Sequence, residues 1–525
     1  MKNNKGITLI SLVITIIVLL ILAGISIQML SGDNSIIGRA RDAKEQMIGS
    51  QNIELLNLKI LESSFDGGKP DLNTLIPKLQ DIGCTVSGES YPLSVELNGE
   101  SYQINSDGKL ENVGSIENLI KDENYLIVMP ASKSKFEGKT NVGTILEFKA
   151  LVETGTFNYN NVYLYENIDL GGSASNAWSP IGDGTNRFDK VFDGRNYNIS
   201  GLYLSNSSQG QGLFKINTGT IKNVTINGQA SCTANGVGAF AGQNDGIIEK
   251  CISNVTIVGN EYVGGIVGYN SSTGTVRNCT SNNYIKGTQI VGGVVGGNDG
   301  IITDCTNTGK VESTSNEQST TNPGARGIGG ITGITYGNIS NSKNMGEIVS
   351  VSNGIGGIVG TNAGAQISKC VNDGVIITNG FMSIGGIVGY QIGDSSSADY
   401  CYNTNRVEGG HDIGGIVGSL KAGEVNNCYN IGQISSYLDI SQHSNGIVCA
   451  GGIVGSSVDG GHINNCYSLD SLNIEIVGEL AGNPLDEYSG KKSEAYMKSD
   501  EFVTLLNSDE NNFKKGSTYP ILNWQ

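Results

Sequence analysis

One phrase dominates this chain: VGAFAGQN, VGGIVGYN, VGGVVGGN, IGGITGIT, IGGIVGTN, IGGIVGYQ, IGGIVGSL and AGGIVGSS, with a degenerate first copy in QGLFKINTG. The second position of each GG pair, or its equivalent, falls at 212, 239, 265, 293, 330, 357, 386, 415 and 452. The spacings of 27, 26, 28, 37, 27, 29, 29 and 37 residues are those of a stacked repeat. Other positions keep time with the glycines. Each copy carries an aliphatic residue, two polar ones and then a small residue, usually Cys, as in IEKC, VRNC, ISKC and VNNC. Six residues later comes another aliphatic, from Ile257 to Leu472. Four residues after the Cys, turn formers such as Gly309, Gly346, Gly374 and Gly432 suggest bends that need φ > 0. Short strands, fixed bends and one residue type per level describe a parallel β-helix. The unit is too short for a four-stranded propeller blade.

The predicted fold is mainly β: a right-handed parallel β-helix of about nine to ten coils over 171–475, with a lead-in and N-terminal cap at 113–170 and a C-terminal cap at 476–525. Capping is obligatory, because open strand edges recruit other chains. TILEFKALVETG, near 144–155, reads as an amphipathic helix suited to one end. Seven cysteines share one register (Cys251, Cys279, Cys305, Cys370, Cys401, Cys428 and Cys466) and form an inward ladder. Neighbours in register lie about 4.7–4.9 Å apart, beyond ordinary disulfide geometry, so buried free thiols are expected. Cys84, Cys232 and Cys449 stand outside the ladder. No C-x-x-C spacing marks a metal, and no cofactor is expected.

The repeats resemble the GLUG-motif repeats of bacterial surface proteins, including adhesin-like proteins and accessory regions of IgA-protease-type enzymes. The flanks NIDLGGSASNAWSPIGDGTNRFDKVFDGRNYNISGL and TYPILNWQ are similar to the opening and closing segments of such proteins. The resemblance implies a domain displayed outside the cell.

The N-terminus adds a second resemblance. Ile7 to Leu30 is 24 residues without a charge, preceded by Lys2 and Lys5, long enough for a membrane-spanning helix with an exported C-terminal region. KGITLISLVITIIVLLILAGI resembles the class III signal of type IV pilins and pseudopilins, in its Gram-positive variety. This resemblance implies a leader 1–6, cleavage between Gly6 and Ile7 by a prepilin peptidase, a stem helix 7–31, and assembly with pilin-like subunits. Ser11 stands where that family usually has Glu at the fifth mature position, and a hydroxyl cannot supply the carboxylate charge. An amphipathic helix and a small pilin-like α+β module follow over 32–112, with SVELNGESYQINSDGKLE read as strands around an Asn-Gly turn. The expected location is the cell membrane with the C-terminal region extracellular, at the cell surface or on a pilus.

A net charge of −17 argues against nucleic acid as a partner. Tyr402, Tyr429 and Tyr467 follow the ladder Cys in three successive coils, and alternation turns them outward. Such a row could stack on sugars or pack on a partner, or could shelter strand edges or the C-terminal cap. The two long repeats insert ESTSNEQSTTNPGARG (312–327) and SSYLDISQHSNGIVCA (435–450) at one place in the coil. The catalytic signal is weak: Asp245 and Asp299 share a register but are separated by a coil bearing Ser271, and the three histidines, His411, His443 and His462, form no H-E-x-x-H. The expected role is adhesion or surface contact, with a glycan or host-matrix ligand and no enzymatic activity. The alternatives are a non-binding spacer or minor pilin, and a polysaccharide-active enzyme.

Overall fold

The computed structural model describes residues 52–525 except 64–69, 88–90, 92, 98–99, 107, 113–119, 121–123, 131–138, 315–325, 380–381, 439–448, 458–459 and 481–484. The chain divides into two compact units, 1–119 and 120–525.

In the first unit, helices 52–62 and Leu72–Asp81 lie against a four-stranded antiparallel sheet, Thr85–Ser87, Leu93–Leu97, Glu100–Ile104 and Leu110–Asn112. Asp71 caps the second helix by accepting from the Asn73 N–H, which satisfies one of the donors a helix start leaves open. Leu56, Ile60, Leu75 and Leu79 on the helices meet Leu93, Val95 and Tyr102 on the strands. The described residues of each helix bury a single stripe. The expected long N-terminal membrane helix is therefore corrected: among the described residues no helix is long and apolar enough to cross a membrane. With it fall the membrane partner, the prepilin-peptidase and pilin-subunit partners, and the membrane or pilus location inferred from that helix. Gly6, Ile7, Ser11 and the span 7–31 lie outside the described residues.

The second unit is the parallel solenoid that the repeat implies. A ten-stranded sheet runs from Phe214–Asn217 through Val359–Ala363 to Val477–Leu480, one strand per coil, all parallel. A seven-stranded sheet built from the IG half of each phrase precedes it in the coil, and a thirteen-stranded sheet follows. The last of these extends beyond the expected start at 171: Tyr125–Met129, Val142–Thr144 and Asn161–Leu164 belong to it, so the lead-in supplies its first strands. At about 4.8 Å between strands, the ten coils rise about 43 Å.

The interior is organised in columns. Ile358 and Ile387 in the GG phrase, and Ile348, Ile376 and Val407 past the ladder Cys, are all fully buried and stack coil on coil. The ladder cysteines are likewise buried and free, with Ser342 taking the place of Cys in one coil. Each bends back on its own chain, as in Cys428 Sγ to the Asn426 carbonyl, 3.2 Å. Burial pushes the Cys279, Cys305 and Cys428 thiols well above their ordinary range.

Asparagine supplies the polar half of the core. Asn307, Asn344, Asn372 and Asn403, each two residues past the ladder position, donate an amide bond to the Asn of the next coil at 2.8 Å, in a row that ends at Asn430. Each of these Asn side chains also donates to the carbonyl two residues on, as Asn372 Nδ2 does to Gly374 (2.9 Å), and Asn372 Oδ1 accepts from the Gly374 N–H (3.2 Å). A second row, Asn217, Asn244, Asn270 and Asn298, repeats the device under the ten-stranded sheet. Asn372→Ala removes two donated and two accepted hydrogen bonds from a dry interior, and should cost about 2 kcal/mol in a urea unfolding titration. A loss below about 0.5 kcal/mol would mean that the ladder is not a stabilising element.

The positive φ suggested for these bends is corrected. Gly309, Gly346, Gly374 and Gly432 do not sit at positive φ. They are glycine because a Cβ there would lie about 2 Å from the carbonyl of the preceding coil, as at Gly374 against Gly346 (2.1 Å). The left-handed residue is the one just before the ladder position: Lys250, Asn278, Asp304, Asn341, Lys369, Tyr400, Asn427 and Asn465, with φ of 48–54°. Asn or Asp fills five of the eight, as their tolerance of this region predicts.

The first coils are capped and the side of the last coils is covered. Helix Ile145–Glu153 begins with a capping box between Thr144 and Glu147. Phe148 on this helix packs edge-on against Phe188 (5.4 Å between centroids) and stacks on Phe192 (5.8 Å). Trp178 of the W-x-P-I-G segment donates its indole N–H to the Leu213 carbonyl (3.2 Å). At the other end, helices Glu494–Met497 and Asp500–Leu506 and the hairpin Phe513–Lys514 with Ile521–Leu522 cover the side of the last coils.

Candidate functional site

The tyrosine row is placed by alternation. Cys401, Cys428 and Cys466 point inward, so Tyr402, Tyr429 and Tyr467 point out, stacked in register. Tyr402 and Tyr429 lie 4.8 Å apart at 7°, nearly parallel. They do not meet solvent. Met497, Phe502, Leu506, Phe513 and Leu522 close over them and bury all three. The Tyr429 hydroxyl donates to the Pro520 carbonyl and that of Tyr402 to Gln525 Oε1 (2.7 Å). Phe502 sits edge-on to Tyr467 at 5.5 Å. Trp524, in the closing TYPILNWQ segment, donates to the Lys369 carbonyl (3.0 Å). The row is the seat of the C-terminal cap; exposure of these rings as a ligand surface is corrected by the segment folded over them.

An aromatic recess does open elsewhere. Tyr262 and Tyr269 meet edge to face, 5.9 Å between centroids, on a groove of about 540 Å³ completed by Gln209, Lys215 and Gln243. Tyr269 stands in the V-G-Y-N strand Val267–Asn270, whose alternation sends it outward. Tyr262 enters the preceding strand at φ 56°, which swings its ring toward Tyr269. The Tyr269 hydroxyl donates to Asp299 Oδ2 at 2.5 Å, and burial with this carboxylate raises its pKa, so the phenol stays protonated. Asp245, in the same register as Asp299, accepts from Gln243 (2.7 Å) and pairs with Arg187 (3.2 Å). Both acids are thus engaged as acceptors at the rim. Two ring faces, amides and an ammonium can recognise hydroxyl-rich ligands by stacking and hydrogen bonding. Sequence reading missed this pair because the two tyrosines occupy different repeat positions and meet only through the bend before Val263.

A larger recess of about 710 Å³ lies beside the capping helix, lined by Lys149, Glu153, Asn167 and Trp178 among others; its Lys149 and Glu153 pair with each other. The flanks of both long insertions, Val311–Ser313 to Ile328–Gly329 and Ile434–Ser436 to Ala450–Gly451, fall at the same corner of the coil. Most of each insertion lies outside the described residues.

Residues 259–285 and 287–312 match the GLUG motif, so two successive coils carry it. A curated relative, halomucin of Haloquadratum walsbyi (strain DSM 16790 / HBSQ001), is 27% identical over 144 residues. That match spans 25% of this chain and 2% of halomucin's length. Among solved structures, one from Bacteroides ovatus, titled with a provisional assignment as an immunoglobulin A1 protease, aligns over 76% of this chain and 92% of its own at 18% identity and a TM-score of 0.32. A likeness that distant carries no argument about activity. The GLUG-motif match lies outside the pilin-like N-terminal region, and that reading is withdrawn. The chain is a large, mainly β-solenoid protein with GLUG-motif coils in its centre.

Proposed function

We propose that this protein is a structural element of the cell exterior, a stiff β-solenoid spacer that holds other surfaces apart. The observation that supports it most is the interior: column on column of aliphatic, cysteine and asparagine side chains, each coil bonded to the next, with an aromatic cap on the first coils and an aromatic segment folded against the side of the last. Such a stack transmits load along its axis without a moving part. A polar, weakly charged and acidic surface and the similarity to part of halomucin support an external location. No catalytic step is proposed.

Adhesion is a second reading, carried by the Tyr262–Tyr269 groove. One experiment separates the two: the full chain is passed over immobilised neutral oligosaccharides and extracellular-matrix proteins, and saturation is measured. The spacer reading expects no saturable binding. Saturable binding that disappears in a Tyr262→Ala, Tyr269→Ala double variant would overturn it in favour of adhesion.

A further inference from the structure

At the C-terminal end of the solenoid two columns of side chains face each other across one corner. The first contains the residues just before the IG strands: Gly327, Gly354 and Ser383, then Asp412 and Cys449 in the last two coils. The second contains Ser419, Ser456 and Glu479, in register on three successive strands of the ten-stranded sheet. His411 flanks the first column. Gly327, Gly354 and Ser383 thus give way, over the last three coils, to a thiol, an imidazole and two carboxylates.

Their geometry is that of a ligand set. Donor atoms of His411, Asp412 and Cys449 all lie within 4.8 Å of one another. Cys449 Sγ is 3.8 Å from His411 Nε2 and 3.0 Å from Glu479 Oε2. The 3.8 Å nitrogen–sulfur edge is near that of a tetrahedral ion with bonds of about 2.0–2.3 Å, and the shorter sulfur–oxygen contact is the hydrogen bond from the thiol to the Glu479 carboxylate. His411 Nδ1 is held at 2.7 Å by Asp412 Oδ1, while Asp412 Oδ2 accepts from Ser419 Oγ at 2.9 Å, and Ser419 in turn lies 2.7 Å from Ser383 Oγ. A buried carboxylate fixing the far nitrogen of an imidazole is the usual support of a metal-bound histidine. Asp412 and Cys449 are buried, while Glu479 is exposed, so the corner is open on one side.

We propose that His411 Nε2, Cys449 Sγ and Glu479 Oε2 bind a thiophilic divalent cation of the zinc class, with Asp412 as the positioning residue for His411. Thiolate, imidazole and carboxylate together select such an ion over calcium or magnesium. On binding, the Cys449 thiol gives up its proton to solvent and its sulfur lone pair to the metal. The cation offsets two carboxylates and a thiolate that would otherwise crowd one corner. The three ligands come from three successive coils, so the ion clips the end of the stack where the cap begins. The order Cys449–His411–Asp412 also suits a nucleophile. The fully buried sulfur, donating its proton to Glu479, favours the metal.

The test uses the full chain, stripped with chelator and titrated with Co²⁺, then with Zn²⁺. One Co²⁺ per chain should bind with a thiolate-to-cobalt charge-transfer band that Zn²⁺ removes. Cys449→Ser should lose the band and Cys401→Ser, within the ladder, should keep it. Asp412→Asn should bind Co²⁺ about 10–100-fold more weakly. No charge-transfer band in the parent protein, or the same band in Cys449→Ser, overturns the proposal. Should Cys449→Ser fail to fold by circular dichroism, Glu479→Gln at an exposed position decides: cobalt affinity at least about tenfold lower supports the site, and unchanged affinity overturns it.

Discussion

Tyr429→Ala should destabilise the protein by about 4 kcal/mol, as expected for emptying an aromatic site in a packed core. The ring is fully buried, stacks on Tyr402, and takes Phe502 edge-on at 5.8 Å. Its removal leaves a cavity between the solenoid and the C-terminal segment that neither rigid partner can fill. Tyr429→Phe keeps the stack and loses only the hydroxyl bond to the Pro520 carbonyl, so about 1 kcal/mol is expected. Urea titrations followed by circular dichroism would measure both, with limited proteolysis reporting release of the segment 494–525. Equal, small losses in the two variants would show that the cap does not rest on this ring.

Gly357→Ala should cost about 3 kcal/mol or more through overpacking. An added Cβ would lie 2.0 Å from the Gly386 carbonyl oxygen and 2.4 Å from Asn372 Cγ. The first contact is backbone of the next coil and the second is a link of the asparagine ladder, so neither yields without breaking bonds between coils. Gly184→Ala is the control: nothing lies within 4 Å of its Cβ position and its φ is ordinary, so a change within about 0.5 kcal/mol is expected. A Gly357→Ala protein with parental stability would overturn the close-approach account of the GG phrase.

The repeat phrase by itself determined the solenoid, its period, its inward cysteines and the place of the two long insertions. That is possible because each coil meets only its neighbours, so a pattern recurring every 26–29 residues already states which side chains stack. The asparagine ladders were equally open to reading, at one Asn two residues past five successive ladder positions from 305 to 428, but polar residues in a row read as surface until burial is known. Glycine is ambiguous in the same way: its presence is visible, and whether it answers to φ or to a neighbouring backbone is not. Other features depended on contacts between distant segments. Alternation turned Tyr402, Tyr429 and Tyr467 outward, and only the chain from 494 to 525 decided that outward meant a second core. His411, Cys449 and Glu479 are separated by 38 and 30 residues, and no motif spacing joins them. They meet because a solenoid returns the chain to the same corner once per coil, and that closure exists only in three dimensions.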